Sequence, residues 1–84
     1  MYTLAFRSRA RGSLRRLDAT IRTRILDKLD RLRESGPMGR HKVLKGKDRG
    51  KFSVPVGSYR IVYSFDTQEQ VLIVHRVGHR SSVY

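Results

Sequence analysis

Cysteine is absent from the chain. That excludes disulfides, thiolate metal sites and a thiol nucleophile. A small domain without such staples is expected in the cytoplasm. Tryptophan is also absent, proline occurs only twice, and no apolar run approaches the ~18 residues that would span a bilayer. The segment Met1–Arg7 has no apolar h-region, so no signal peptide is expected. Acidic residues are scarce, at seven against nineteen Lys and Arg. Those seven carboxylates are scattered, and no two are placed as an acid–base pair or as ligands of a two-metal nuclease. The three histidines, His41, His75 and His79, show neither HxH nor HExxH spacing. Phosphate-binding glycine loops and nucleophile elbows are missing as well. No metal and no cofactor is therefore expected.

What is abundant is positive charge. The formal net charge is +12 on 84 residues. A chain this short forms one domain, residues 1–84, with one modest core. Such an excess of charge repels itself unless something anionic binds. Nucleic acid, an anionic membrane and an acidic protein are the candidates. With no tryptophan and no amphipathic tail, nucleic acid is the favoured class and no membrane partner is expected.

Hydrophobic periodicity divides the chain. Tyr2, Leu4 and Phe6 alternate with small residues, as in a short strand. Leu14, Leu17, Ile21, Ile25, Leu29 and Leu32 then recur at three- and four-residue steps, on one face of a helix. Asp18 or Thr20 can cap a new start, which predicts two helices with a break at Asp18–Thr20. Gly36-Pro37 ends the second. Met38–Gly50, rich in glycine and cations, reads as a basic loop. Three strands follow: Lys51–Val56, with Pro55 at an edge, bulge or end; Tyr59–Phe65; and Val71–Val77, apolar enough to lie centrally. Gly57-Ser58 and Asp66–Glu69 are the turns. The order β-α-α-β-β-β predicts an α+β two-layer sandwich, a helical hairpin on one face of a small, mainly antiparallel sheet.

The polar residues available are Arg, Lys, His, Tyr and Ser. They suit metal-free cleavage of RNA, in which the substrate's own 2′-hydroxyl attacks the phosphate. That reaction needs a base, an acid and cations for the phosphorane charge. Arginine matches phosphate oxygens with its fork. Arg60 in mid-strand, Arg76, His79 and Arg80 at the end of the next strand, Lys51 and Tyr84 are the candidates. Each has an ordinary surface reading taken singly, and convergence is what points to function. Adjacent antiparallel strands should bring Arg60 beside Val77–Arg80, with Lys51 on the other side. His75 alternates with Val71, Ile73 and Val77, which predicts a half-buried structural residue on their face. His41, in the basic loop, is expected to be solvated or on phosphate.

These segments resemble a known family. Leu44-Lys45-Gly46, then Val56-Gly57-Ser58-Tyr59-Arg60-Ile61-Val62-Tyr63, then Val77-Gly78-His79-Arg80 and Val83-Tyr84 resemble the RelE/ParE toxin superfamily, and its RelE branch in particular. The resemblance spans essentially the whole chain. It implies a ribosome-dependent mRNA endoribonuclease from a type II toxin–antitoxin pair, held in check by a cognate antitoxin and touching DNA only through that complex. It implies that Arg60 and Arg80 stabilise the scissile phosphate, that Tyr84 orients or deprotonates the 2′-hydroxyl, that Lys51 adds charge and that His79 assists proton transfer. Lys42, Lys45, Lys47, Arg49 and Arg76 are the expected RNA-binding cations. Two further positions that the family keeps basic are Ser53 and Pro55 here, which also admits a weakened homologue that only binds RNA or antitoxin. A ParE-like, non-enzymatic gyrase inhibitor is the alternative from another class.

Overall fold

The computed structural model describes residues 1–39, 41–44, 46 and 49–82. Strand β1 (Thr3–Phe6) turns Leu4 and Phe6 to the core and leaves Thr3 and Ala5 exposed. Helix α1 (Ser8–Arg16) buries Ala10 and Leu14. Leu17 and Asp18 are extended, which breaks the helical path. Asp18 starts helix α2 (Ala19–Ser35) as the sequence predicts: its Oδ1 accepts from the Ile21 N–H at 3.1 Å. The helix buries Ile25, Leu29 and Leu32, which fall on one face at i, i+4 and i+7. Gly36 closes it with φ 65°, and its N–H donates to the Leu32 carbonyl. A β-carbon there would lie 3.2 Å from the Tyr2 ring, so close approach as well as backbone geometry selects glycine. A 3₁₀ turn, Gly36–Met38, follows.

Between that turn and the hairpins the predicted loop contains an unforeseen element. Lys42–Val43 forms a two-residue strand, β2, paired antiparallel with Ser53 and Phe52. Two residues carry no periodicity, so the sequence had no signal for it. Strands β3 (Phe52–Val56), β4 (Tyr59–Asp66) and β5 (Val71–His79) complete a five-stranded sheet in the order β1-β5-β4-β3-β2. Only β1 runs parallel to its neighbour, β5. Gly57, at the first position of the two-residue β3–β4 turn, has φ 60°, as a type II′ hairpin demands. Pro55 lies where β2 no longer flanks β3, so its missing N–H costs no ladder bond, as expected.

Both helices pack on one side of the sheet. Ala10, Leu14, Ile25, Leu29 and Leu32 meet Val56, Ile61, Tyr63, Leu72, Val74 and Val77. One irregularity redirects β5. Tyr63 faces Val74 but Val62 faces Arg76, so His75 is an extra residue in the ladder. Leu72 and Val74 therefore point to the core before the bulge, and Val77 does so after it. This corrects the predicted face of His75: it lies with Val71 and Ile73 but opposite Val77. Period-two counting cannot see a bulge, because the bulge is a property of the pairing with β4.

Candidate functional site

The sheet face away from the helices collects the residues of interest. Along β4, Ile61 and Tyr63 enter the core, so Arg60, Val62 and Ser64 occupy the other face. Val62 has no exposed surface although it is not part of the helix-side core, and Ser53, opposite it on β3, is 2% exposed. The middle of this outer face is thus closed, with polar groups around it. Arg60 is half-buried and pairs with Pro55 on one side and Gly78 on the other. Gly78 has no side chain, so nothing from β5 crowds the arginine stem at that level. The Arg80 N–H donates to the Ser58 carbonyl at 2.8 Å, which holds its backbone just beyond the Arg60–Gly78 pair. Arg60 on β4 and Arg80, in the turn directly after β5, are therefore held at the same end of the sheet.

The other predicted site residues are distributed more widely. Lys51, half-buried, directly precedes β3, and its carbonyl accepts from the Leu44 N–H at 3.0 Å. Extending the register puts it beside Ser64, four residues from the Pro55–Arg60 pair, or roughly 13 Å along the strands. Lys42 pairs with Ser53 and is exposed, and Arg49 is exposed in a turn whose N–H reaches the Gly46 carbonyl at 3.0 Å. Arg76 is half-buried and lines a cleft of about 230 Å³ between α1 and β5, together with Arg9, Arg16 and His79. Lys45, Lys47 and Tyr84 lie outside the described residues.

His41 and His79 lie elsewhere than expected, whereas His75 is half-buried as predicted and departs only in facing away from Val77. His79 follows Val77 to the helix side, where its ring meets Tyr59 edge-on at 5.7 Å between centroids and its Nδ1 bonds the Ser81 hydroxyl at 2.8 Å. The sheet therefore stands between it and the Arg60 face. His41 is neither solvated nor free to reach phosphate. Its Nδ1 lies 2.6 Å from the Tyr63 phenol, its Nε2 lies 3.1 Å from the Gly36 carbonyl, and it packs among Phe52, Tyr63 and Phe65. Burial pushes the Tyr63 phenol up to about 12. His75 shares the Arg60 face, with Nε2 2.7 Å from the Ser64 hydroxyl. Sequence reasoning missed that pair because the two residues are eleven positions apart and meet only through the bulged register.

Comparison with known proteins places this architecture. A model described as the ParE toxin of type II toxin–antitoxin systems matches residues 4–84. The chain belongs to that toxin family, within the RelE/ParE superfamily. Toxin RelG of Mycobacterium tuberculosis is 32% identical over 85 residues, covering 99% of this chain and 95% of that protein. The toxin–antitoxin complex RelBE2 of the same organism contains a chain that superposes with a TM-score of 0.81 at 29% identity, over 96% of this chain and 93% of that one. The intact RelBE toxin–antitoxin complex of E. coli gives a TM-score of 0.80 at 30% identity, over 94% and 96%. These relatives put the chain in the RelE-type branch of the superfamily and bear out its predicted α+β fold. Among the described residues no helix is long and apolar enough to cross a membrane, and no three His, Asp or Glu residues gather as metal ligands.

Proposed function

We propose that this toxin is a ribosome-dependent mRNA endoribonuclease. Its substrate phosphate sits at the end of the sheet where Arg60 and Arg80 are anchored, and the RNA 2′-hydroxyl is the nucleophile. The observation that carries this reading is the register: Arg60, on the face the helices leave uncovered, stands opposite Gly78, and the backbone of Arg80 bonds to Ser58 just beyond that pair. Two guanidinium forks there would neutralise the charge that builds on a pentacoordinate phosphorus. Lys42 and Lys51 continue the positive face along the strands and would position the RNA backbone, while Tyr84 keeps the family's near-terminal place in the sequence. The relatives crystallised as toxin–antitoxin complexes support a cognate antitoxin partner for this chain.

Induced expression is expected to halt translation, and Arg60→Ala or Arg80→Ala to relieve the arrest. Equal arrest by both variants would remove the proposed mechanism. The ParE family match favours one competing reading, a non-enzymatic gyrase inhibitor. Pulse labelling separates the two: gyrase poisoning triggers DNA-damage signalling while protein synthesis continues.

A further inference from the structure

The cleft between α1 and β5 is a second place where cations meet. Arg9, Ser13 and Arg16 fall at i, i+4 and i+7 on one face of α1 and line it from the helix, while Tyr59, Gly78 and His79 line it from the strands. Among the described residues no acid lines it. Neither Arg9 nor Arg16 has a carboxylate partner among them, and the Ser13 hydroxyl and Tyr59 phenol make no hydrogen bond there. The Arg16 guanidinium lies back along the helix, with Nη1 3.9 Å from where a β-carbon on Gly12 would stand, one turn nearer Arg9. Nδ1 of His79 accepts from the Ser81 N–H at 3.2 Å, so in the neutral ring Nε2 carries the hydrogen and is a donor. Cations of one sign in a concave surface reinforce one another's potential and attract an anion. The cleft over the β3–β4 turn is different: it gathers Arg24, Lys28 and Arg31 but includes Asp27, which offsets part of their charge.

Position indicates which anion the α1–β5 cleft takes. Gly78 lines it and is also the residue opposite Arg60. Tyr59 and His79 pair one step further along the same two strands, and Arg80 follows directly. The cleft and the Arg60–Arg80 place therefore share one end of the sheet, the cleft on the helix side and Arg60 on the other. We propose that this cleft is a second RNA-phosphate site of the toxin, separate from the one that holds the scissile phosphate. The proposal deepens the nuclease reading and rests on it for the choice of polyanion. RNA repeats its charge at every nucleotide, so it can engage cations on both sides of a strand end. That continuity favours RNA over an acidic peptide. The Arg9 and Arg16 forks match the free oxygens of a phosphodiester, and Ser13 and His79 add neutral donors. The diester belongs either to the mRNA as it continues over the end of the sheet or to ribosomal RNA beside it. Away from the reacting atoms, the cleft holds its phosphate equally before and during the chemical step, so it acts on binding rather than on turnover.

The test compares two double variants of the purified toxin. Arg9→Gln with Arg16→Gln removes both forks from exposed positions in the cleft. Arg11→Gln with Arg15→Gln removes the same charge from exposed positions of α1 outside it. Inorganic phosphate titrated into the wild type should shift the NMR signals of the Ser13 and Leu17 amides, and the cleft variant should lose those shifts. With programmed ribosomes the cleft variant should raise KM about tenfold at unchanged kcat. Its binding should also depend less steeply on salt, by about one unit of log–log slope. The control variant should stay near wild type in all three. Equilibrium binding separates the sources: weaker binding of a single-stranded RNA oligonucleotide assigns the phosphate to mRNA, and weaker binding of mRNA-free ribosomes alone assigns it to ribosomal RNA. Wild-type affinity for both, an equal loss in the control variant, or a loss confined to the cognate antitoxin overturns the inference. A wild-type toxin that binds RNA through the cleft but cuts no mRNA on the ribosome removes the nuclease reading alone.

Discussion

The phenol of Tyr63 and Nδ1 of His41 lie 2.6 Å apart, joining the centre of β4 to the segment that leads into β2. The Gly36 carbonyl can only accept, so Nε2 of His41 carries the hydrogen, and in the neutral ring Nδ1 accepts from Tyr63. One imidazole thus ties a helix end, a loop and the core of the sheet together. Tyr63→Phe removes the donor and leaves Nδ1 unsatisfied in a half-buried place, and a loss of about 1–3 kcal/mol is expected from urea unfolding. His41→Ala should cost more, because it also empties the contacts with Phe52 and Phe65.

The same phenol makes stability sensitive to alkali. Its value is about 12 in the folded chain against about 10 when unfolded. The folded state therefore holds this proton more tightly, and the contribution is complete below pH 10. As pH rises from 10 through 12, roughly 2–3 kcal/mol should be lost. Tyr63→Phe should flatten that part of the curve, measured as unfolding midpoints against pH. An unchanged slope in the variant would place the alkaline sensitivity elsewhere.

Gly36→Ala should destabilise the fold by about 1–3 kcal/mol, because φ 65° with ψ −163° is essentially a glycine conformation and the new methyl would press on Tyr2. Thermal denaturation measures it. Relief by Tyr2→Ala in the double variant would show how much of the loss is contact and how much is backbone.

Asp18→Ala removes the side-chain acceptor of the Ile21 N–H and should cost about 1 kcal/mol. Asp18→Asn or Asp18→Ser should recover most of it. The three variants compared in denaturant would separate capping from the attraction of one carboxylate to a +12 chain.

Arg60→Lys keeps the charge and loses the fork. Cleavage by this variant is expected to fall well below wild type, and that of Arg60→Ala by about 10²–10³-fold, with stability unchanged to within about 1 kcal/mol. Single-turnover cleavage alongside urea melts would separate those effects. A large stability loss on Arg60→Lys would make the residue structural.

What the sequence determined by itself was everything whose cause is local. The 3.6-residue stripe from Leu14 to Leu32, the Asp18 cap, the Gly36-Pro37 stop and the alternation of Tyr59–Phe65 each follow from the preferences of a few consecutive residues, and together they gave two helices on a small sheet with Arg60 turned from the core. The juxtaposition of Arg60 with the end of β5 was also legible, because a tight Gly57-Ser58 turn and a short second hairpin leave little freedom in pairing. Tertiary structure alone decided the rest. Whether β5 keeps strict alternation depends on its hydrogen bonds to β4, and the single extra residue there moved His75 and Val77 to opposite faces. His41 looked like a loop cation until an aromatic pocket, built from three distant segments, enclosed it. A two-residue strand such as β2 exists only because β3 lies beside it. Contacts between residues far apart in the chain leave no period and no spacing to read, so the Ser64–His75 pair became visible only once the chain had folded.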